Sequence, residues 1–172
     1  MTRTTVLNLN GAACVSCGRE LTPQAHRFCT WCLHPRPVFY GAHGGAGVTM
    51  LAGLLGGVDG GRTDHLEVTT LPAKRLSILV ARTHLVGLQA MQKALGAHPD
   101  LFDLVVFNRD APGRLTKPIT DRAYIITGTA AATTTCPFVP AWRTDPTDTT
   151  DKTAVAFLTA FRARYHSQQE NN

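Results

Sequence analysis

The sequence has no long apolar stretch. Its longest run of mainly apolar and glycine residues, Gly44 to Val58, is short and glycine-rich, whereas a membrane-spanning helix needs roughly 20 apolar residues; membrane insertion is excluded on this reading. The start, Met1 to Asn8, lacks the apolar segment of a secretory signal. A cytoplasmic location is therefore expected, where paired cysteines are more often metal ligands than disulfides. Charged residues make up only 17%, but hydrophobic residues reach 44%, which excludes a disordered chain and a fibrous one. There is no internal repeat. His65, His84, His98 and His166 are scattered, with no H-E-x-x-H pattern, and read as surface residues. No Ser-His-Asp or Cys-His arrangement is legible. With 172 residues, the chain has room for one α/β domain and a small appendage.

Acidic side chains are also scarce: 12 Asp and Glu face 17 Lys and Arg, for a net charge of +5. Part of the excess is local, since residues 1–37 hold Arg3, Arg19, Arg27 and Arg36 against Glu20 alone. A mild basic excess is compatible with nucleic acid and does not require it.

Five cysteines are present, and four are paired. Cys14-Val15-Ser16-Cys17 is followed after eleven residues by Cys29-Thr30-Trp31-Cys32. Each C-x-x-C turn aims two thiolates at one point, and two turns supply the four soft ligands of a tetrahedral Zn²⁺. Two redox pairs or unliganded thiols are the alternative. Four ligands close the site, so the zinc reads as structural, and so short a segment would take its folding energy from the metal. His26 and His34 are spare and read as surface residues. The segment resembles the zinc-ribbon knuckles that open many bacterial proteins, which implies a role in docking DNA or protein; Arg19, Arg27, Arg36 and Trp31 suit either partner. Cys136 stands alone and reads as a core cysteine.

These features divide the chain into a leader (1–13), a four-cysteine ribbon (14–34), an α/β domain (38–166) and a tail (167–172). His34-Pro35-Arg36-Pro37 is a stiff joint. In the α/β domain, Val38–Tyr40, Leu76–Ala81 and Leu104–Phe107 read as buried strands, and 133–140 as an edge-like strand that its prolines limit. Val48–Leu55 reads as a helix stopped by Gly56-Gly57. Leu85–Leu95 reads as a helix with Leu85, Leu88, Met91 and Leu95 on one face. Asp151–Tyr165 reads as a helix capped by Asp151, with Val155, Leu158, Phe161 and Tyr165 on its apolar face. Residues 58–75 read as polar and irregular, and Thr120–Thr127 fits helix or strand. The alternation predicts a short, doubly wound, mainly parallel sheet.

The glycine loop Gly41-Ala42-His43-Gly44-Gly45-Ala46-Gly47 lies between the first strand and first helix. Glycines let backbone N–H groups face an anion, and the helix N-terminus adds its dipole. The alternative is a turn built only for close packing. Arg109 and Arg114, flanking a turn after a later strand, are further candidates to meet a phosphate.

The stretch His43 to Met50 resembles the deviant Walker A loop, KGGxGKT[ST], of the ParA/MinD group of P-loop ATPases. Gly44, Gly45 and Gly47 match its glycines, and Thr49 the hydroxyl that binds Mg²⁺ there. Collinear similarity runs through 79–88, through Val105–Arg109, whose Asn108 matches the residue touching adenine, and through Pro137–Pro140. More narrowly, the chain is similar to shortened ParA-like proteins of actinobacterial plasmids and of conjugative or phage elements. The resemblance implies a phosphate site at Gly44, Gly45, Ala46, Gly47, Thr49 and Asn108, with ATP and Mg²⁺ as ligands, and a homodimer.

Both loop lysines are absent, with His43 and Val48 in their places, and the strands at 76–81 and 104–107 end in Arg82 and Asn108 instead of a Walker B Asp. The expectation is a degenerate ParA-like P-loop protein with weak or vestigial nucleotide binding and no useful ATP turnover. It would be an accessory factor of a mobile element whose zinc ribbon docks DNA or protein. The alternatives are a zinc-dependent nucleic-acid-binding module with the α/β domain as scaffold, and an ATPase completed by a partner chain.

Overall fold

The computed structural model describes residues 36–66 and 75–170. The leader, Cys14, Cys17, Cys29 and Cys32, and the zinc expected on them, lie outside the described residues. The chain divides into two units between Arg36 and Pro37, and the fold below is that of the second.

Its elements are β1 (Val38–Gly41), α1 (Val48–Leu55), β2 (Val58–Arg62), a 3₁₀ turn (Thr63–His65), β3 (Ser77–Arg82), α2 (Leu85–Ala97), β4 (Leu104–Asn108), α3 (Lys117–Thr129), β5 (Thr133–Cys136), a second 3₁₀ turn (Pro140–Arg143) and α4 (Lys152–Glu170). The five strands form one all-parallel sheet in the order β2-β1-β3-β4-β5. Helices cover both faces. Val38, Tyr40, Leu79 and Val105 turn toward Leu88 and Met91 of α2 and Ile126 of α3. On the other face the ring of Phe39 stacks on Phe161 of α4, with centroids 6.1 Å apart, and Arg162 Nη2 donates to Leu54 O of α1 at 3.0 Å. Burial on both sides is why β1, β3 and β4 are unbroken apolar runs.

The sequence reading of 58–75 as irregular is corrected at its start, where Val58–Arg62 is a strand. Val58 pairs with Val38 and Asp59 with Phe39. Backbone pairing holds this edge strand, and Gly60 admits the Tyr40 ring, which a Cβ would approach to 2.5 Å. Thr120–Thr127 resolves as helix: Ile119, Ala123 and Ile126 join the core cluster, at helical spacing within an otherwise polar segment. Two residues expected on apolar faces are exposed. Leu85 (46%) sits in the first turn of α2, at the edge where the strands stop, and Val155 (46%) is displaced by Ala154 and Phe157 on the buried side of α4. Asp151 caps α4 as expected, its Oδ1 accepting from Thr153 N at 2.8 Å and Ala154 N at 3.0 Å. Cys136 is fully buried, and burial pushes its thiol pKa up to about 12. Among the described residues no helix is long and apolar enough to cross a membrane.

Candidate functional site

In an open parallel sheet, ligands bind beyond the carboxyl ends of the strands, at the point where the strand order reverses. Here the chain leaves β1 outward to β2 and then returns across it to β3. The reversal lies between Gly41 and Arg82, and the glycine loop occupies it.

Two glycines give the loop its shape. Gly45 (φ 75°) and Gly47 (φ 95°) are left-handed, a region that costs a side-chain-bearing residue about 1–2 kcal/mol. Gly47 is the N-cap of α1, and Leu51 N donates to its carbonyl at 3.0 Å. It also has no room for a Cβ, which would lie 2.3 Å from Asn108 Nδ2. Asn108, 7% exposed, donates from that Nδ2 to Ala46 O at 2.9 Å. Thus the end of β4 supports the loop from beneath. Of the residues expected at the site, Gly44, Gly45, Ala46, Gly47 and Thr49 line one cavity, while Asn108 bonds to the loop at Ala46 and lines the adjoining cleft.

The loop carries no cation of its own. Val48, in the lysine position, is buried and lies against Gly41. His43 Nδ1 donates to Gly44 O at 2.7 Å, and its Nε2 accepts from Arg82 N at 3.2 Å. Burial, foremost, holds the His43 pKa below the ordinary imidazole value; its bond to Gly44 opposes this, while His84, Arg82 and Arg62 add to the depression.

Charge arrives instead from neighbouring strands. Arg62 at the end of β2 and Arg82 at the end of β3 line the loop's cavity of about 410 Å³. Arg62 is bridged to Asp64. Arg82 is exposed and, among the described residues, has no ion pair. Thr49 Oγ1 donates to Asp59 Oδ2 at 2.6 Å, and Asp59 Oδ1 accepts from Gly61 N at 2.9 Å. Asp59, from β2 and not from the ends of 76–81 or 104–107, is the carboxylate that lines the loop's cavity. The only sequence signal was an Asp-Gly-Gly turn shortly after the first helix.

A second cleft of about 460 Å³ adjoins the first and shares Gly47, Met50 and Arg82 with it. Phe138, Trp142, Arg109 and Arg143 line its far wall. The Arg143 guanidinium lies 5.1 Å over the Phe138 ring and donates to Asp110 O at 2.8 Å. Arg109 reaches the cleft but donates to Gly113 O; Arg114 lines neither cavity. His84 is no idle surface residue, since it caps α2 by accepting from Gly87 N at 2.9 Å. Among the described residues no three His, Cys, Asp or Glu side chains form a group able to hold a metal ion.

Residues 38–158 match the model of a family of unknown function, DUF6668. The chain belongs to that family. The DUF6668 match runs from β1 into α4, so it includes the loop, both arginines and Asp59, and leaves the cysteine module outside. No curated protein and no solved structure matches this DUF6668 chain.

Proposed function

We propose that the DUF6668 domain of this chain binds a nucleotide or similar phosphate ester, without useful turnover, and serves as an accessory factor of a ParA-like system. One observation carries the reading: a glycine loop at the reversal point of a parallel sheet opens a helix and lies between an arginine-lined cavity and an aromatic cleft. Backbone N–H groups of Gly44–Gly47 and the dipole of α1 favour a phosphate. Arg82 would give the charge that the loop lacks, as a planar fork suited to phosphate oxygens. Phe138 and Trp142 offer flat apolar surface for a base. Thr49 and Asp59 are the pair that would hold Mg²⁺, which supplies charge to phosphate oxygens when bound.

Turnover should still be poor. A preorganised charge against the transferred phosphoryl group contributes roughly 2–4 kcal/mol, and Val48 offers none. The zinc ribbon would dock DNA or a protein partner, and its position outside the family match fits an attached module. Completion of an ATPase by a second chain is the competing reading. A thermal-shift titration with ATP and Mg²⁺ tests the proposal. A saturable rise is expected, and Gly45→Val should abolish it while zinc content stays intact. A flat response in the unaltered protein would overturn it.

A further inference from the structure

The hydrogen bonds of His43 admit one protonation state. An imidazole that donates from Nδ1 and accepts at Nε2 is neutral, with its proton on Nδ1. Both partners are backbone: Gly44 O within the loop and Arg82 N at the end of β3. The ring therefore ties the loop of β1 to the neighbouring strand β3. The molecule makes room for this tie. A Cβ on Gly87 would lie 2.8 Å from His43 Nε2 and 2.5 Å from Arg82 O. The ring of His84 lies 5.0 Å from that of His43, with its own Nδ1 engaged by Gly87 N.

We propose that His43 is a proton-sensitive positioning residue: neutral, it fastens the phosphate loop and Arg82 into one frame, and protonation releases the loop. Only its effect on ligand rests on the nucleotide-binding reading. A proton on Nε2 would set two donors, Nε2–H and Arg82 N–H, against each other. The groups that act on it are unfavourable to a second proton: Arg62 from β2, Arg82 from β3 and His84 before α2. Asp59, which lines the same cavity as His43, is engaged by Thr49, and Asp64 is engaged by Arg62. Because the His43 pKa is depressed in the folded chain, the tie is fully present above the ordinary value of about 6.5 and is lost as pH falls through the folded value.

The sign separates this role from a lysine substitute. A surrogate lysine would gain charge in acid and bind anions more tightly; a fastening imidazole would bind them more weakly. The experiment uses the full chain, ¹⁵N-labelled. Long-range imidazole spectra at pH 7.5 should show His43 as the Nδ1–H tautomer. Arg82 N–H should exchange at least about tenfold faster in His43→Lys and His43→Ala, at temperatures where both remain folded. Sulfate, whose charge is constant over this range, and ATP should each lose up to about tenfold in affinity per pH unit below the His43 pKa. His84→Asn, which keeps a capping side chain, should preserve the profile and move its midpoint to higher pH, because one repulsive neighbour of His43 is removed. An Nε2–H tautomer, unaltered Arg82 exchange in both variants, tighter sulfate binding in acid, or a profile abolished by His84→Asn would each overturn the proposal. If neither sulfate nor ATP binds at any pH, the nucleotide reading fails, and the tautomer and exchange results alone decide the role of His43.

Discussion

Thr49, two residues past the left-handed Gly47, donates its hydroxyl to Asp59 Oδ2 across 2.6 Å. The two side chains come from the helix after the loop and from an edge strand that sequence patterning did not reveal. This pair couples the ligand side of the loop to β2, and it leads to the first prediction. Asp59→Asn should remove most of the Mg²⁺ dependence of any ATP-induced thermal shift, while Mg²⁺-free binding changes by less than about threefold. Titrations with and without EDTA measure this; an unchanged Mg²⁺ dependence would assign the cation elsewhere.

Gly47 and Gly45 should differ in what alanine costs. Both are left-handed, so each substitution pays about 1–2 kcal/mol of backbone strain. Gly47→Ala also drives a methyl into the Asn108 amide, an overpacking term of about 1–3 kcal/mol, while Gly45 has nothing within 4 Å. Urea unfolding should find Gly47→Ala the less stable by at least about 1 kcal/mol. Equal midpoints and slopes would refute the Asn108 support.

Arg82→Ala should weaken ATP binding by about tenfold, the lower part of the range for a hydrogen bond to a charged group, because the side chain is exposed. Arg62→Ala should cost less, since Asp64 already holds that guanidinium. Isothermal titration would show the order; the reverse order would shift the phosphate toward β2.

Phosphate release from ATP should match that of a Gly45→Val control, with or without DNA. A Mg²⁺-dependent rate well above the control would favour the reading in which a second chain completes the site.

Zinc should be present at one equivalent, lost in a Cys14→Ser, Cys29→Ser double variant. Elemental analysis decides it, and a full equivalent in the variant would dismiss the four-thiolate site.

Much of the sheet was legible because β1, β3 and β4 are apolar on both faces, and such runs have few other uses in a chain this size. The loop was legible for a different reason: glycine spacing between a strand and a helix is local. Asp59 was not, since Val58–Arg62 contains two glycines and two charges and becomes a strand only through its pairing with β1. Nor was the approach of Arg62 and Arg82 to the loop, which depends on strand order. Leu85 and Val155 misled because helical spacing gives a direction around the axis and not the point at which the covering sheet ends.

The depth of Cys136 has a use at the bench. A thiol that is fully buried and titrates near pH 12 presents almost no thiolate to solvent at neutral pH. Of the five sulfhydryls, this one is silent until the sheet comes apart. Thiol-reactive dye added to the native chain would therefore leave Cys136 unlabelled, and its equivalent would appear as a separate, later signal that dates the opening of the α/β domain.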